Sequence, residues 1–353
     1  MRDLCLGTAV GVTDVQLVTF AASFREVAPT ADLVLFVDGR DDGGGRRNDI
    51  IQKYGIVALK LHTDELIPDV LRRYHPSSCR WVFAQRFLDA RGSDYARVIM
   101  VDVGDTLFQA NPYDIVGDPG LYAFVGEQSL GQSPLISAVI NDCLGGPSVV
   151  SQMSELPNTF SGVTIATIAQ ATTYAREMST ALLSAAFQKC ERGGVDQGLH
   201  NYLLHSGVVG DVLRFDLTSG PLVDMQFGKY KLSGQRVENL DGREVPIVRS
   251  VGLADSAASK IMESVSKRDK ASPPVAGGTD TGGVEKGSVN PGPCRKYNVR
   301  EGVDMFKGVC DLDSVGAHGL DECCGACERV AACQAFSFDT GAGLCYTKNC
   351  NRP

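Results

Sequence analysis

The chain opens as short apolar runs separated by polar and glycine-rich breaks. Residues 3–11 read as a strand with a glycine-rich exit, and residues 15–27 carry apolar positions at helical spacing. Residues 32–37 (DLVLFV) are a continuous apolar run of strand length, as in a sheet covered on both faces. Residues 56–61 give another short strand. A helix capped by Ser77 or Ser78 runs through Trp81 and Phe83 to about Leu88. Residues 97–101 (RVIMV) are a further buried strand, residues 121–125 and 163–165 are shorter ones, and residues 170–189 read as a long helix. A helix beginning at Asp196 is closed by Gly207. This alternation predicts an α/β fold with a mostly parallel sheet and flanking helices, in which ligands sit beyond the carboxyl ends of the strands.

The pattern stops at residues 266–293, which are rich in Gly, Pro, Ser and Thr and nearly free of large apolar groups. Such a segment is a flexible linker between a domain at 1–265 and a module at 294–353. In the module, residues 320–330 read as a short helix, 332–339 as a strand, 340–343 as a turn and 344–348 as the returning strand. Of the 12 cysteines, Cys294, Cys310, Cys323, Cys324, Cys327, Cys333, Cys345 and Cys350 crowd into this tail. So small a module buries too little apolar surface to stand alone, and an even set of cysteines is the usual remedy. That implies an oxidising compartment: the secretory pathway or the cell exterior. A zinc site at Cys324 and Cys327 is the rival reading, but it leaves six further cysteines without a role. The N-terminal residues do not read as a signal peptide, since Arg2, Asp3, Gly7, Gly11 and Asp14 break the apolar run.

Composition narrows the function. The chain of 353 residues is 43% hydrophobic and 22% charged, which fits a folded protein, and its net charge of −8 argues against nucleic acid as a partner. No apolar stretch is long enough to predict a transmembrane segment.

The chemistry concentrates at residues 98–114 (VIMVDVGDTLFQANPYD), where an apolar strand runs into Asp102, Gly104 and Asp105. Residues three apart on a regular strand face opposite sides. Gly104 can resolve this by taking a conformation closed to other residues, so that both carboxylates converge. Paired carboxylates at a strand end suit a hard divalent ion carrying a diphosphate. The plainer reading is that Asp102 ends the strand and Asp105 caps the next turn. Likewise Asp196 and His200, and Gln197 and Asn201, share a helix face at i, i+4. They are either a polar stripe for sugar hydroxyls or an ordinary helix cap with surface neighbours. Asp38, Asp41 and Asp42, with Gly43–Gly45 and Arg46–Arg47 behind them, read as a solvated turn or, alternatively, as acids and glycines that approach a nucleotide; His62 and His75 are isolated.

Residues 102–113 (DVGDTLFQANPY) resemble the D-x-R-D-x-x-F-Q-x-x-P-(F/Y) motif of a group of eukaryotic GT-A-type glycosyltransferases. Residues 80–88 (RWVFAQRFL) look like the helix that precedes it. Residues 159–165 (TFSGVTI) are similar to that group's S-G-(V/T)-x-x-G strand, and residues 195–201 (VDQGLHN) resemble its (D)-Q-x-x-(H)-N helix. The order of the four motifs is more specific than any one of them. The resemblance implies a GT-A-like (Rossmann-like) sheet and transfer of a sugar from a nucleotide-sugar donor to a glycan or glycoprotein acceptor. It implies Mn²⁺ or Mg²⁺ on Asp102 and Asp105, and donor contacts from Gly104, Ser161, Gly162 and Asn201. It also gives donor-sugar or acceptor binding to Asp196 and Gln197. The group usually has Arg where Gly104 stands and Gly where Ala166 stands. No histidine lies between His205 and His318 to serve as the third metal ligand common in such enzymes. A catalytically inactive relative that binds carbohydrate or protein is therefore the alternative, and an extracellular interaction protein a third class. The tail resembles the PAN/apple module, a small disulfide-rich α+β domain. That resemblance implies pairing of Cys323 with Cys345 and of Cys327 with Cys333.

Overall fold

The computed structural model describes residues 1–37, 45–61, 74, 76–117, 120–185, 187, 190, 194–227, 229–251, 311–316, 320–329, 333, 335–339 and 344–348. The linker, Asp38, Asp41, Asp42, Gly43, Gly44, His62, His75 and the 340–343 turn lie outside them. The chain divides into two compact units, Met1–Gly277 and Gly278–Pro353.

The first unit is α/β with a mostly parallel central sheet and flanking helices. Its strands are β1 (Arg2–Thr8), β2 (Asp32–Val37), β3 (Ile56–Lys60), β4 (Tyr95–Asp102), β5 (Leu107–Phe108), β6 (Leu121–Ser129), β7 (Pro157–Thr159), β8 (Val163–Thr167), β9 (Val212–Phe215), β10 (Leu222–Asp224), β11 (Lys231–Ser233), β12 (Arg236–Glu238) and β13 (Ile247–Arg249). The helices are α1 (Asp14–Val27), α2 (Arg46–Lys53), α3 (Pro76–Arg91), α4 (Pro134–Val139), α5 (Gly146–Met153), α6 (Ile168–Leu183) and α7 (Val195–Ser206).

The main sheet has the order β3-β2-β1-β4-β8-β6-β7, with β9 alongside β6. The pairs β3/β2, β2/β1 and β1/β4 are parallel, whereas β8 runs antiparallel to both β4 and β6. Parallel strands buried on both faces must be apolar at successive positions, and β1, β2 and β4 are. Cys5, Leu33, Leu35, Ile99 and Val101 share a cluster with Leu17, Phe20 and Phe24 of α1. Alternation puts Phe36 on the other face, where it meets Phe83 of α3 at 6.1 Å between ring centroids. A smaller sheet, β10-β13-β5, is joined to this core where Phe108 sets its edge against Phe20 (5.5 Å) and Phe24 (5.3 Å).

Several local expectations are corrected. Helix α3 begins at Pro76, a residue suited to the first helical position, so neither serine caps it; Ser78 is buried and bonds elsewhere. Helix α6 ends at Leu183, short of residue 189. Arg46 and Arg47 open helix α2 and are not part of a turn. A disulfide that spacing did not suggest, Cys143–Cys190, ties the π-helical stretch Ile140–Gly145 to the chain just before α7.

The second unit contains β14 (Asp311–Gly316), α8 (Leu320–Arg329), β15 (Ala335–Asp339) and β16 (Leu344–Lys348), with antiparallel sheet order β14-β16-β15. Cys323 pairs with Cys345, joining α8 to β16, and Cys327 pairs with Cys333. Strand β14 carries no signal that the sequence reading used, and β15 begins three residues later than expected. No helix among the described residues is long and apolar enough to cross a membrane.

Candidate functional site

The site is built where β4 ends. Asp102 closes β4 beside Thr8 of β1, at the carboxyl edge of the parallel strands. The next three residues, Val103–Asp105, form a 3₁₀ turn. Asp102, just before this turn, keeps an extended backbone (φ −80°, ψ 120°), and its carboxylate and that of Asp105 both lie beside the Arg249 guanidinium. This corrects the role expected of Gly104, which has no positive φ. A Cβ on it would make only ordinary contacts, 3.5 Å to Val12 and 3.7 Å to Gln16. The turn is held from α1: Gln16, the partner of Thr13 in a capping box, donates its amide to the Gly104 carbonyl at 2.8 Å. The Thr13-x-x-Gln16 spacing was a legible signal for that cap.

Three other elements close around the two carboxylates. From the turn before β8, the Gly162 carbonyl accepts from the Asp102 amide at 2.8 Å. A Cβ on Gly162 would fall 2.7 Å from Asp102 Oδ2 and 2.8 Å from Arg249 Nη2, so any larger residue there displaces one or both side chains. From the small sheet, β13 pairs antiparallel with β5 and parallel with β10, in register Asp224↔Arg249. That pairing sets the Arg249 guanidinium 3.3 Å from Asp105 Oδ2 and 3.7 Å from Asp224 Oδ2, over the Phe160 ring at 5.2 Å. From α3, buried Arg80 bonds to Asp102 Oδ1, to the Ser161 carbonyl (3.3 Å) and to Asp196 Oδ2 (3.0 Å).

Asp196 is therefore joined to Asp102 through one guanidinium. It is not the helix cap: Gly194 holds that position, with Asp196 in the first turn. Its carboxylate also accepts from Ser78 Oγ at 3.2 Å and from the Trp81 indole at 3.4 Å. Gln197 accepts from the Ser161 amide at 2.8 Å and donates to Asn158 Oδ1 at 3.0 Å. Asn201 accepts from both the amide (2.8 Å) and the hydroxyl (2.9 Å) of Thr159, and donates to the Thr159 carbonyl at 3.0 Å. The polar stripe of α7 thus grips residues 158–161 and presents the Ser161–Gly162 bend to Asp102. His200 points inward; its Nδ1 lies 2.7 Å from the Tyr174 hydroxyl, and burial, with Arg80 next, pushes its pKa down to about 3.

Electrostatics sort the acids by role. Side-chain exposure is 35% for Asp102 and 24% for Asp105, but 6% for Asp196 and 3% for Asp224. The first two are the ones a ligand can reach. Burial raises the Asp102 pKa, against the opposing pull of Arg80 and Arg249. Four carboxylates meet two guanidiniums, which leaves the cluster negative. Asp102 Oδ2 accepts no hydrogen bond among the described residues, and Asp105 Oδ1 takes only a long one, 3.4 Å, from Thr106. Free carboxylate oxygens in a net negative cluster are the donor set a hard dication needs. Among the described residues, no group of three His, Cys, Asp or Glu is placed to enclose a metal. An ion here would complete its shell with ligand and water oxygens, as Mg²⁺ commonly does. A small, mainly apolar cavity lined by Thr8, Phe36, Trp81, Met100 and Ser161 adjoins Arg80.

Arg80 and Arg249 are the site residues the sequence reading did not assign. Arg80 stands inside a quoted motif, so its position was visible without its role. No protein-family model matches the chain, and no curated protein aligns with it significantly.

Proposed function

We propose that unit Met1–Gly277 binds a nucleotide sugar at the β4 end and transfers the sugar to a glycan or glycoprotein acceptor. The observation that carries this reading is the pair Asp102 and Asp105. They flank a 3₁₀ turn at the carboxyl edge of the parallel strands, each with an oxygen left over. Asp102 and Asp105 would hold a Mn²⁺ or Mg²⁺ for the diphosphate end of the donor. When bound, that ion supplies Lewis acidity to the departing phosphate. Arg80 fixes Asp102, and Gly162 leaves room for it. Gln197 and Asn201 position the Ser161–Gly162 bend, and Asp196 positions Arg80. Transfer breaks the bond from sugar C1 to the diphosphate oxygen and forms one from C1 to the acceptor oxygen. The nucleoside diphosphate and a proton are released.

A second reading, binding without turnover, is favoured by one specific observation. The polar atoms of Asp196 and Gln197 are taken up by the protein's own groups, so neither is free to act on an acceptor. In both readings the C-terminal unit is a PAN/apple-like acceptor-binding module. The disulfides support a secretory lumen or the cell exterior as its compartment. Nucleotide-sugar hydrolysis and binding, measured across uridine and guanosine donors with Mn²⁺ and with chelator, test the proposal. Metal-dependent binding that disappears in Asp105→Asn supports donor recognition, and turnover separates the enzyme from the binding protein. Absence of binding to every donor overturns both.

A further inference from the structure

Arginines in this fold divide into saturated and unsaturated ones. A guanidinium carries five N–H donors. Arg25 spends them on the carbonyls of Tyr54, Ala31 and Gly55. Arg97 makes two bonds of 2.7 Å to Asp3 and one of 2.8 Å to the Tyr113 carbonyl. Both are structural clamps. Arg249 is different. Among the described residues its one hydrogen bond is the 3.3 Å contact to Asp105 Oδ2, and its approach to Asp224, at 3.7 Å, is too long for another. Its Nε is buried with no hydrogen-bond partner among the described residues. The Phe160 ring covers one face of the guanidinium plane. Nη1, which makes no hydrogen bond among the described residues and is not among the buried unmet atoms, is the donor left open beside the carboxylates.

A cationic donor with no protein partner is ready to meet an acceptor that arrives with a ligand. We propose that Arg249 is that acceptor's partner. It donates to a phosphate oxygen of a diphosphate that the Asp102–Asp105 cation carries, while its charge competes with the cation for the same carboxylates. This rests on the reading of the site as a diphosphate-binding one and names the residue that recognises the anion. The two halves have opposite signs. A guanidinium is repelled by a dication a few ångströms away, so Arg249 weakens binding of the metal alone. Its charge-assisted bonds to phosphate strengthen binding of the anion once the metal is present.

The test uses the full chain and probes independent of the nucleobase: Mn²⁺ alone, then inorganic diphosphate at saturating Mn²⁺, both by calorimetry. Arg249→Gln is expected to bind Mn²⁺ at least threefold more tightly and diphosphate at least tenfold more weakly. Arg249→Lys keeps the charge over Asp224 and guards against misfolding of the glutamine variant. It should leave Mn²⁺ affinity within twofold and still weaken diphosphate, because an ammonium lacks the planar fork. A clamp that is merely structural moves both affinities down together, with the melting temperature, and that result overturns the proposal. Unchanged diphosphate affinity in Arg249→Lys and Arg249→Gln also overturns it. If the wild-type chain binds Mn²⁺ and diphosphate as described but no nucleotide sugar, the inference stands and the transferase reading fails.

Discussion

Arg80 of α3 and Asp196 of α7 meet at 3.0 Å across 116 residues of chain, both buried. Because Arg80 also bonds to Asp102, the start of α7 is wired to the end of β4. The carboxylate expected to meet a sugar instead fixes the arginine that fixes the strand-end acid. Ser78 and Trp81, one turn of α3, complete the shell of Asp196. The RW pair of the 80–88 segment thus serves one carboxylate from two adjacent positions.

Breaking that pair leaves a buried guanidinium half-compensated. Asp196→Asn is expected to lower stability by about 3 kcal/mol, as when one partner of a buried ion pair is removed. Ser78→Ala, which takes away one neutral donor, should cost about 1 kcal/mol. Urea unfolding measures both. A change within 0.5 kcal/mol for Asp196→Asn (about the size of an exposed helix-terminal effect) would show that Asp196 does not anchor Arg80.

The two glycines beside the acids should respond oppositely. Gly162→Ala drives its Cβ into Asp102 Oδ2 and Arg249 Nη2, at 2.7 and 2.8 Å. It should cost about 1 kcal/mol in stability and abolish metal-dependent diphosphate binding. Gly104→Ala meets nothing closer than 3.5 Å at an ordinary φ. It should be neutral or stabilising by about 0.5 kcal/mol, with binding retained. Calorimetry and urea unfolding of the two variants side by side decide it.

His200 makes stability depend on pH. In the folded chain its pKa is held at about 3 by burial, against about 6.5 for a free imidazole. Below pH 6.5 the unfolded chain takes up a proton that the folded chain refuses, so stability falls as pH falls through this window. The loss from this group is about 2 kcal/mol between pH 7 and pH 5. His205, also shifted down by burial, adds with the same sign. His200→Asn keeps an acceptor near Nδ1 and removes the titration. Its urea midpoint should fall less steeply with pH than that of the wild type, and equal slopes would count against a neutral buried His200.

The Cys143–Cys190 bridge closes 47 residues and pins the approach to α7. On a chain-entropy account it contributes about 4 kcal/mol. Non-reducing peptide mapping should recover this pair together with Cys323–Cys345 and Cys327–Cys333. Cys143→Ala with Cys190→Ala should unfold at lower urea, and diphosphate affinity should weaken as α7 loosens its hold on Asp196 and Gln197. Recovery of free thiols at both positions from protein secreted under oxidising conditions would contradict the pairing.

Features that depend only on neighbours along the chain were legible before any fold was known. The apolar runs at 32–37 and 97–101 declare buried strands because covered parallel strands need apolar residues on both faces. The periodicity at 15–27 declares α1, and the acids of the 98–114 segment fall at a strand end because the run stops there. Resemblance, not spacing, singled out Cys323 with Cys345 and Cys327 with Cys333, the pairs the structure joins. Tertiary structure decided the partners. Arg249 finds Asp105 across 144 residues only because β13 lies antiparallel to β5, and Asp224 only because β10 runs parallel to β13. Cys143 finds Cys190, and Asp196 becomes an anchor and not a cap, for the same reason. Short-range patterns encode backbone conformation, whereas the neighbour of a charge or a thiol is set by how distant strands and helices pack, and burial then fixes what that neighbour is worth.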